Sequence, residues 1–552
     1  MAISVSPDLP GLGPDLDRLR EAAARLVAAW AEPARRSTSV GQERAILRLF
    51  GVDGLDAEGR PLAAEVIDRY IGRSSERLGR GISLPFAMGL VEYDSTPRQL
   101  ALDIASGAVD LAMEAELLRE PARRARAEAE ARRLMDLAVA RIDANRTAGL
   151  ELVDMLGRAP WPWVGTQVVG TTVRPAADEI SALVHQGADL VRVDVPMGRE
   201  LLTRLRQAGV EPGQRVASGI WVQGPATAPG ADLPDDPPAG SQRGLAALRH
   251  VLDESAAERR RYVQLAIVSP GLASPEAAVV AAFERIDLVD SDPMVEIVGV
   301  GVDPDRALAD RAFAGRLHLR AGSLVRIGAD PLVVAPDLIA GIPSYPDTRV
   351  GRALALQVVA ALFSRDDGLP AERVLIAGFP AWLVDETESA SRAAAEVALR
   401  RAILPDHPLT FDEPVDAAGR DDGTGMAATW PAIVGALMPV GDATALVTRL
   451  PGPGFPNVAR ATRAAAAVAE EIARAAPRGP LVGRALDHAQ ASLAAAIETV
   501  ESLQAAGWGA LLAEPSGDDQ EMGIGGDAVA TRTEAFDPIG AALAASEERP
   551  SA

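Results

Sequence analysis

The chain contains no cysteine and, because all 55 of its basic residues are arginine, no lysine. Absent cysteine rules out disulfides, thiolate metal sites, iron–sulfur clusters and thiol nucleophiles on this chain. Absent lysine removes the phosphate-binding lysine of a Walker A loop, the β3 lysine of a kinase and any side chain able to hold pyridoxal covalently. A coding bias that also favours Ala, Arg, Gly and Pro suffices to explain the missing lysine, and the chemical exclusions hold whatever its origin. Histidine is scarce as well: His185, His250, His318, His407 and His488 show neither paired spacing nor an H-E-x-x-H motif, so no metal site is expected. No stretch approaches the roughly eighteen uninterrupted apolar residues of a membrane span, and the opening MAISVSPDLPGLGPDLD has neither the basic nor the apolar part of a secretory leader. A cytoplasmic location is therefore expected. The net charge of −22 argues against nucleic acid and against an anionic membrane as partners, since both need clustered cations.

What is present is the composition of a globular α/β protein: 552 residues, 48% hydrophobic and 24% charged, with 50 glycines spread along the chain. That length suits two or three domains, or one large barrel with appendages. Residues 1–150 read as a helical layer. In it Ser39 and Gln42 form a Ser-x-x-Gln capping box ahead of Ala45, Ile46, Leu49 and Phe50, with Gly51 closing the helix. Further helical patterns cover 61–81, 97–118 and 121–145. From about residue 160 short apolar runs alternate with amphipathic helices, the mark of βα units. The runs that read as strands are 163–169, 189–194, 215–222, 262–268, 294–300, 322–328, 373–379 and 432–439. Helical patterns fill most of the gaps, at 176–186, 199–208, 242–256, 273–285, 304–314, 349–364 and 386–403. Eight such repeats predict a (β/α)₈ TIM barrel over 151–445, with a doubly wound sheet as the alternative, and helices plus a polar tail over 446–552. The Pro- and Asp-rich stretch 224–241 reads either as a lid or as a disordered segment, and 411–429 is a second acidic loop.

In a barrel, the residues just after the strands converge on one mouth. Thr171, Thr172, Asp194, Ser269, Asp303 and Asp330 occupy such positions and are candidate ligands for a bound molecule. Asp and Ser also cap helices, and Asp303 before Pro304 fits that structural role best. Asp330 precedes Pro331 and no immediate helix, so a functional role suits it better. Gly299-Val-Gly301 lacks the third glycine of a dinucleotide fingerprint, and no G-x-S-x-G elbow occurs.

The run from Thr38 to Gly54, TSVGQERAILRLFGVDG, resembles the N-terminal signature of the alpha subunit of lysine 5,6-aminomutase. The stretches 96–111, 186–190, 271–287, 368–370 and 523–525 keep the same order, so the resemblance covers most of the chain from about 37 to 540. It implies a barrel subunit of an adenosylcobalamin- and pyridoxal-phosphate-dependent isomerase that moves an amino group between neighbouring carbons of a basic amino acid such as lysine. In that family both cofactors are expected on a partner, a cobalamin-binding beta subunit that also carries the pyridoxal-binding lysine. A lysine-free alpha chain fits this division, as does the lack of a D-x-H-x-x-G cobalamin motif. By the same resemblance Asp330 faces the substrate as the catalytic candidate; Thr171, Asp194 and Ser269, singled out by their places after the barrel strands, are the cofactor-binding candidates. Several positions depart from the family pattern. Val195 and Val300 stand where arginines are expected, Glu200 where a serine is, Val295 where a ring-stacking tyrosine is, and Thr410 where a lysine is. Those departures argue against an ordinary pyridoxal phosphate site here. Two functions follow: a divergent aminomutase component, or a non-catalytic barrel relative that serves as a scaffold or regulator.

Overall fold

The computed structural model describes residues 9–54, 61–159, 163–193, 241–268, 274–297, 303–327, 346–378, 389–412, 444–447, 482–510 and 529–544, apart from single positions or short gaps within them, plus isolated residues such as Ala239, Arg460 and Arg463. A long helix, α1 (Gly13–Arg36), leads into β1 (Ser37–Ser39) and α2 (Val40–Leu49). Ser39 caps α2 by accepting a hydrogen bond from the Gln42 backbone N–H at 3.1 Å, as the capping box predicts. Next come α3 (Leu62–Tyr70), α4 (Ser75–Arg80), α5 (Ser83–Tyr93), α6 (Pro97–Ser106), α7 (Leu111–Leu117) and α8 (Pro121–Leu156). The single helix expected over 97–118 is two, because Gly107 adopts a left-handed conformation (φ +83°) that ends α6. The pattern over 61–81 likewise divides into α3 and α4.

The barrel begins with β2 (Trp163–Val168), α9 (Val173–Gln186) and β3 (Leu190–Val193). It continues through α10 (Gln242–Arg259), β4 (Gln264–Val268), α11 (Ser274–Phe283), β5 (Leu288–Asp290), α12 (Pro304–Ala321), β6 (Leu324–Ile327), α13 (Pro346–Asp366), β7 (Val374–Ala377), α14 (Ser389–Ile403), β8 (Leu409–Asp412) and β9 (Thr444–Val447). Strands β2 to β9 are parallel and close into a barrel, with β9 pairing back onto β2. Continuous burial explains why these runs are apolar throughout: one face packs inside the barrel and the other under helices.

The expected eight strands are found, but not with the expected members. The run at 215–222 lies outside the described residues, and β3 pairs directly with β4, Leu190 in register with Gln264. The run at 294–300 is corrected: Pro293–Val295 is a single helical turn, and the strand is Leu288–Asp290, two residues after the Ile286 that follows α11. A three-residue strand in the acidic context IDLVDSD carries too little apolar periodicity to stand out. β8 and β9 occupy the places that the sequence reading gave to 432–439, which lies outside the described residues.

Outside the barrel the helices form two packs. Helices α2 to α8 bury Ile46, Phe50, Val66, Phe86 and Met135 against Val279 and Phe283 of α11 and Phe313 of α12. On another flank α1 lies with the late helix α15 (Arg484–Ala506) against α12, α13 and α14. There Trp30 stacks on Trp508 with ring centroids 4.8 Å apart. Strand β10 (Val529–Thr531) pairs antiparallel with β1, and α16 (Pro538–Ala544) packs on α8. Among the described residues no helix is long and apolar enough to cross a membrane.

Candidate functional site

Alternation along the barrel strands sorts their side chains into two sets. Val191 and Val193 join the apolar layer beneath the helices, whereas Leu190 joins Trp163, Ala266, Leu288 and Leu375 in an apolar plug inside the barrel. Arg192 shares the inward face with Leu190, one step nearer the strand C-termini. By the same rule Asp290 follows Leu288 and Arg326 follows Leu324. Three charged side chains therefore meet inside the barrel just above the plug.

Their geometry is that of one carboxylate between two guanidinium groups. Arg192 Nη2 lies 3.2 Å and Arg326 Nη1 3.3 Å from the same oxygen, Asp290 Oδ2. Asp290 and Arg326 are register neighbours on β5 and β6, while Arg192 reaches Asp290 past β4, whose residue in register with it is the small Ala266. Arg326 Nε also donates to Thr410 Oγ1 on β8 at 2.8 Å. All four are buried: Arg192 is 6% exposed, Asp290 8%, Arg326 4% and Thr410 0%. Nε and Nη1 of Arg192 and Oδ1 of Asp290 are buried without a hydrogen-bond partner among the described residues. The group carries a net charge of +1, and it presents open donors beside an open acceptor. Leaving such atoms unpaired costs about 1–3 kcal/mol each, and more for charged groups, so a group that accepts from Arg192 and donates to Asp290 would be stabilised here.

Sequence reasoning missed these residues, although a signal exists. β3 reads LVRV and β6 reads LVRI, an arginine framed by branched apolar residues in both. An arginine in that frame, in a strand covered on its other face, has only the barrel interior to enter. Thr410 is also recast. The lysine that the resemblance places there is missing, but a guanidinium from β6 stands within hydrogen-bond distance of the threonine, so positive charge persists at this point of the barrel. Thr171, Asp194, Ser269 and Asp330 lie outside the described residues, as do Val195, Glu200 and Val300; Val295 sits in the turn after β5. Asp303 caps α12, accepting from Arg306 N–H at 3.0 Å, and has the structural role expected of it. Among the described residues no three His, Asp or Glu side chains are placed to hold a metal ion.

The motif at 38–54 serves a different purpose. Arg44 Nε and Arg48 Nε, one turn apart on α2, donate to the two oxygens of Glu276 on α11 at 3.0 and 2.8 Å. Ser39 hydroxyl donates to Asp310 of α12, and Glu43 accepts from Thr38 hydroxyl at 2.5 Å and from the Ile82 backbone N–H at 2.7 Å. Burial raises the Asp310 carboxyl pKa, with Arg306 and Ser39 opposing the shift. This signature is thus a ledge that docks the helical layer on the barrel.

Comparison with known proteins agrees with this architecture. Residues 13–209 and 239–420 match the family described as D-Lysine 5,6-aminomutase TIM-barrel domain of alpha subunit. The chain is 24% identical to the lysine 5,6-aminomutase alpha subunit of Acetoanaerobium sticklandii over 340 residues, 61% of this chain and 58% of that protein. It is 24% identical to the Fusobacterium nucleatum subunit of the same name over 386 residues, 68% of this chain and 66% of the relative. The match thus spans 58% and 66% of the relatives' own lengths. Among solved structures, dihydropteroate synthases from Yersinia pestis (11% identity, TM-score 0.31, 58% of this chain and 96% of that one) and Coxiella burnetii (10%, 0.33, 57% and 94%) are only remotely similar. With more than half of its residues matched and its barrel closed as described, the chain belongs to the lysine 5,6-aminomutase alpha-subunit TIM-barrel family.

Proposed function

We propose that this chain is the substrate-holding barrel of an adenosylcobalamin- and pyridoxal-phosphate-dependent aminomutase, working with a separate cobalamin-binding beta subunit on a basic amino acid such as lysine. The observation that carries the reading is the group Arg192, Asp290, Arg326 and Thr410. Its net charge of +1 suits a single carboxylate, and its open Asp290 oxygen beside open Arg192 nitrogens suits an ammonium next to that carboxylate. An amino-acid head group supplies both. Charge-assisted hydrogen bonds in a buried site contribute about 1.5–3 kcal/mol each, enough to fix the head group and aim the rest of the substrate along the barrel axis.

Pyridoxal phosphate does not fit these residues. A phosphate dianion here would meet Asp290 as well as the arginines, and the chain has no lysine to carry the cofactor. Both cofactors are accordingly assigned to the partner, whose bound groups perform the radical chemistry while this barrel binds, orients and keeps water out. Asp330, with Thr171, Asp194 and Ser269, is proposed to meet the far end of the substrate and the partner's cofactors at the mouth, because each follows a barrel strand closely in sequence.

The test is calorimetric titration of the full chain with lysine, norleucine, cadaverine and hexanoate. Lysine and norleucine keep the head group and are expected to bind, whereas cadaverine lacks the carboxylate and hexanoate the α-ammonium, and both are expected to fail. Equal binding of cadaverine overturns the assignment. Turnover of lysine after addition of a cobalamin-binding partner with both cofactors separates the aminomutase from the scaffold reading. That second reading rests on Val195, Glu200, Val295 and Val300, where cofactor contacts expected of the family are missing.

A further inference from the structure

The contact between Arg192 and Asp290 depends on a gap in the strand that separates them. Asp290 and Arg326 stand in register on adjacent strands, so nothing lies between them. Arg192 and Asp290 are not neighbours of that kind. β4 runs between β3 and β5, and with strands spaced about 4.8 Å apart the two side chains must together bridge roughly 10 Å. They nevertheless meet at 3.2 Å. The β4 residue in register with Arg192 is Ala266, which is itself in register with Leu288, and Asp290 is the next barrel-facing residue on β5. The path from Arg192 to Asp290 therefore crosses the inner face of β4 at Ala266.

Ala266 is out of keeping with its surroundings. Leu265 and Ile267 lie in the apolar layer under the helices, so alternation turns Ala266 inward, where it is 2% exposed. Its described companions from the barrel strands in the apolar plug are Trp163, Leu190, Leu288 and Leu375, and bulky side chains ordinarily dominate these inner layers of a TIM barrel. A lone methyl group leaves room above the plug for a guanidinium to pass. A branched side chain would fill that room. Arg192 uses it to reach Asp290 while Nε and Nη1 of Arg192 and Oδ1 of Asp290 keep no hydrogen-bond partner among the described residues. The two charges are thus held side by side with bonding capacity left on each.

We propose that Ala266 is a positioning residue that sets the specificity of the interior site: by letting Arg192 and Asp290 stand together, it makes the site accept a carboxylate only when an ammonium accompanies it. This inference rests on the amino-acid head-group reading given above and names the residue that makes it selective. The chemistry follows from the contact. A bare carboxylate brought to Arg192 meets the like charge of Asp290, and a bare ammonium brought to Asp290 meets Arg192. A zwitterionic head group satisfies both at once. Prised away from Asp290 by a bulkier residue at position 266, Arg192 would act alone and take a carboxylate of any kind.

The experiment is calorimetric titration of the full chain, as wild type, A266S, A266V and A266L, with norleucine and with hexanoate, which differ only in the α-ammonium. Wild type is expected to favour norleucine. A266L is expected to bind norleucine about tenfold or more weakly and to bind hexanoate more tightly than wild type does. A266V should move both affinities in the same directions by less, and carries the test if A266L does not fold. A266S adds little volume and should keep the wild-type preference. Crowding the plug lowers the melting midpoint whatever the role of Ala266. Opposite movement of the two affinities is the sign that packing alone does not produce. Adding R192M to A266L should abolish the gain in hexanoate binding. Parallel loss of both ligands in A266L and A266V, loss of the preference in A266S, or a hexanoate gain that survives R192M overturns the role of Ala266. A wild type that does not prefer norleucine to hexanoate overturns instead the head-group reading, and the role of Ala266 falls with it.

Discussion

Two buried clusters in this protein set a pair of arginines against one carboxylate, and they are finished differently. At Glu276 each oxygen receives one guanidinium, and no buried side-chain atom of Glu276, Arg44 or Arg48 is left without a partner. At Asp290 both guanidinium groups converge on a single oxygen, while the other oxygen and two nitrogens of Arg192 stay open among the described residues. The first cluster is complete in itself and fastens α2 to the barrel. The second leaves polar atoms unmet among the described residues. Equal composition thus serves docking in one place and, under the function proposed above, recognition in the other, and the count of satisfied atoms tells them apart.

The largest expected effect falls on the complete cluster. Glu276→Gln leaves two buried guanidinium groups without their counter-charge and is expected to cost about 3–5 kcal/mol, read as an earlier first transition in urea. A loss below about 1 kcal/mol would break the contrast, because the outer cluster would then matter no more than a surface pair.

Asp367 sharpens the comparison as an intermediate case. Its side chain is 2% exposed, Arg35 Nε lies 3.8 Å from Oδ1, and Oδ2 is unpartnered. Burial lifts its pKa from 3.8 to about 6, with Arg311, Arg35 and Arg316 pulling it down. Because the folded state holds this proton more tightly than the unfolded chain, stability is greatest below about pH 4, falls as pH rises to about 6 and stays lower above it. Asp367→Asn is expected to abolish that dependence and to gain up to about 3 kcal/mol at pH 7 relative to wild type. Parallel pH series of urea midpoints for the two proteins check this; matching slopes would show that the neighbouring arginines satisfy the carboxylate after all.

Thr410→Val removes the hydroxyl that Arg326 reaches across the barrel and is expected to cost about 1–3 kcal/mol, since it leaves a buried charged donor unmet. Thr410→Ser should restore most of the stability. The smallest effect on stability is expected at the open cluster itself. Arg192→Met removes a guanidinium with two unmet donors and leaves Asp290 and Arg326 as a neutral pair, so the melting midpoint should correspond to a change within about 1 kcal/mol. Lysine affinity, by contrast, should drop about tenfold or more. A variant that loses stability but keeps lysine affinity would assign Arg192 to the architecture instead of the substrate.

Much of the barrel is legible in the sequence, because parallel strands buried on both faces give compact apolar runs between amphipathic helices. WVGTQV, QLAIV and VLIA all fall within predicted strands. What stays hidden has physical reasons. LVD at 288–290 is too short to show a period, and LTFD at 409–412 lies among Pro and Asp residues that read as loop. The interior arginines are hidden for a different reason. Whether Arg192 points into the barrel or toward a helix depends on the register and closure of eight strands, and no single window of sequence contains that information. A position-by-position comparison at Thr410 records a lost lysine and cannot see Arg326 arriving from two strands away.

The pairing of β1 with β10 bears on how the chain is made. Ser37, Thr38 and Ser39 wait for Thr531, Ala530 and Val529, and Arg532 completes the closure by donating to Gln42, 490 residues upstream. During synthesis at roughly 5–20 residues per second, the ledge around α2 would have its barrel helices within reach long before β10 emerged. The helical layer can therefore dock early on the Glu276 ion pairs but can be sealed only after Val529–Thr531 has emerged. Shortening the chain before Val529 should then yield a protein whose barrel still forms and whose Ser37–Ser39 edge stays open to other strands, a defect of assembly and not of chemistry.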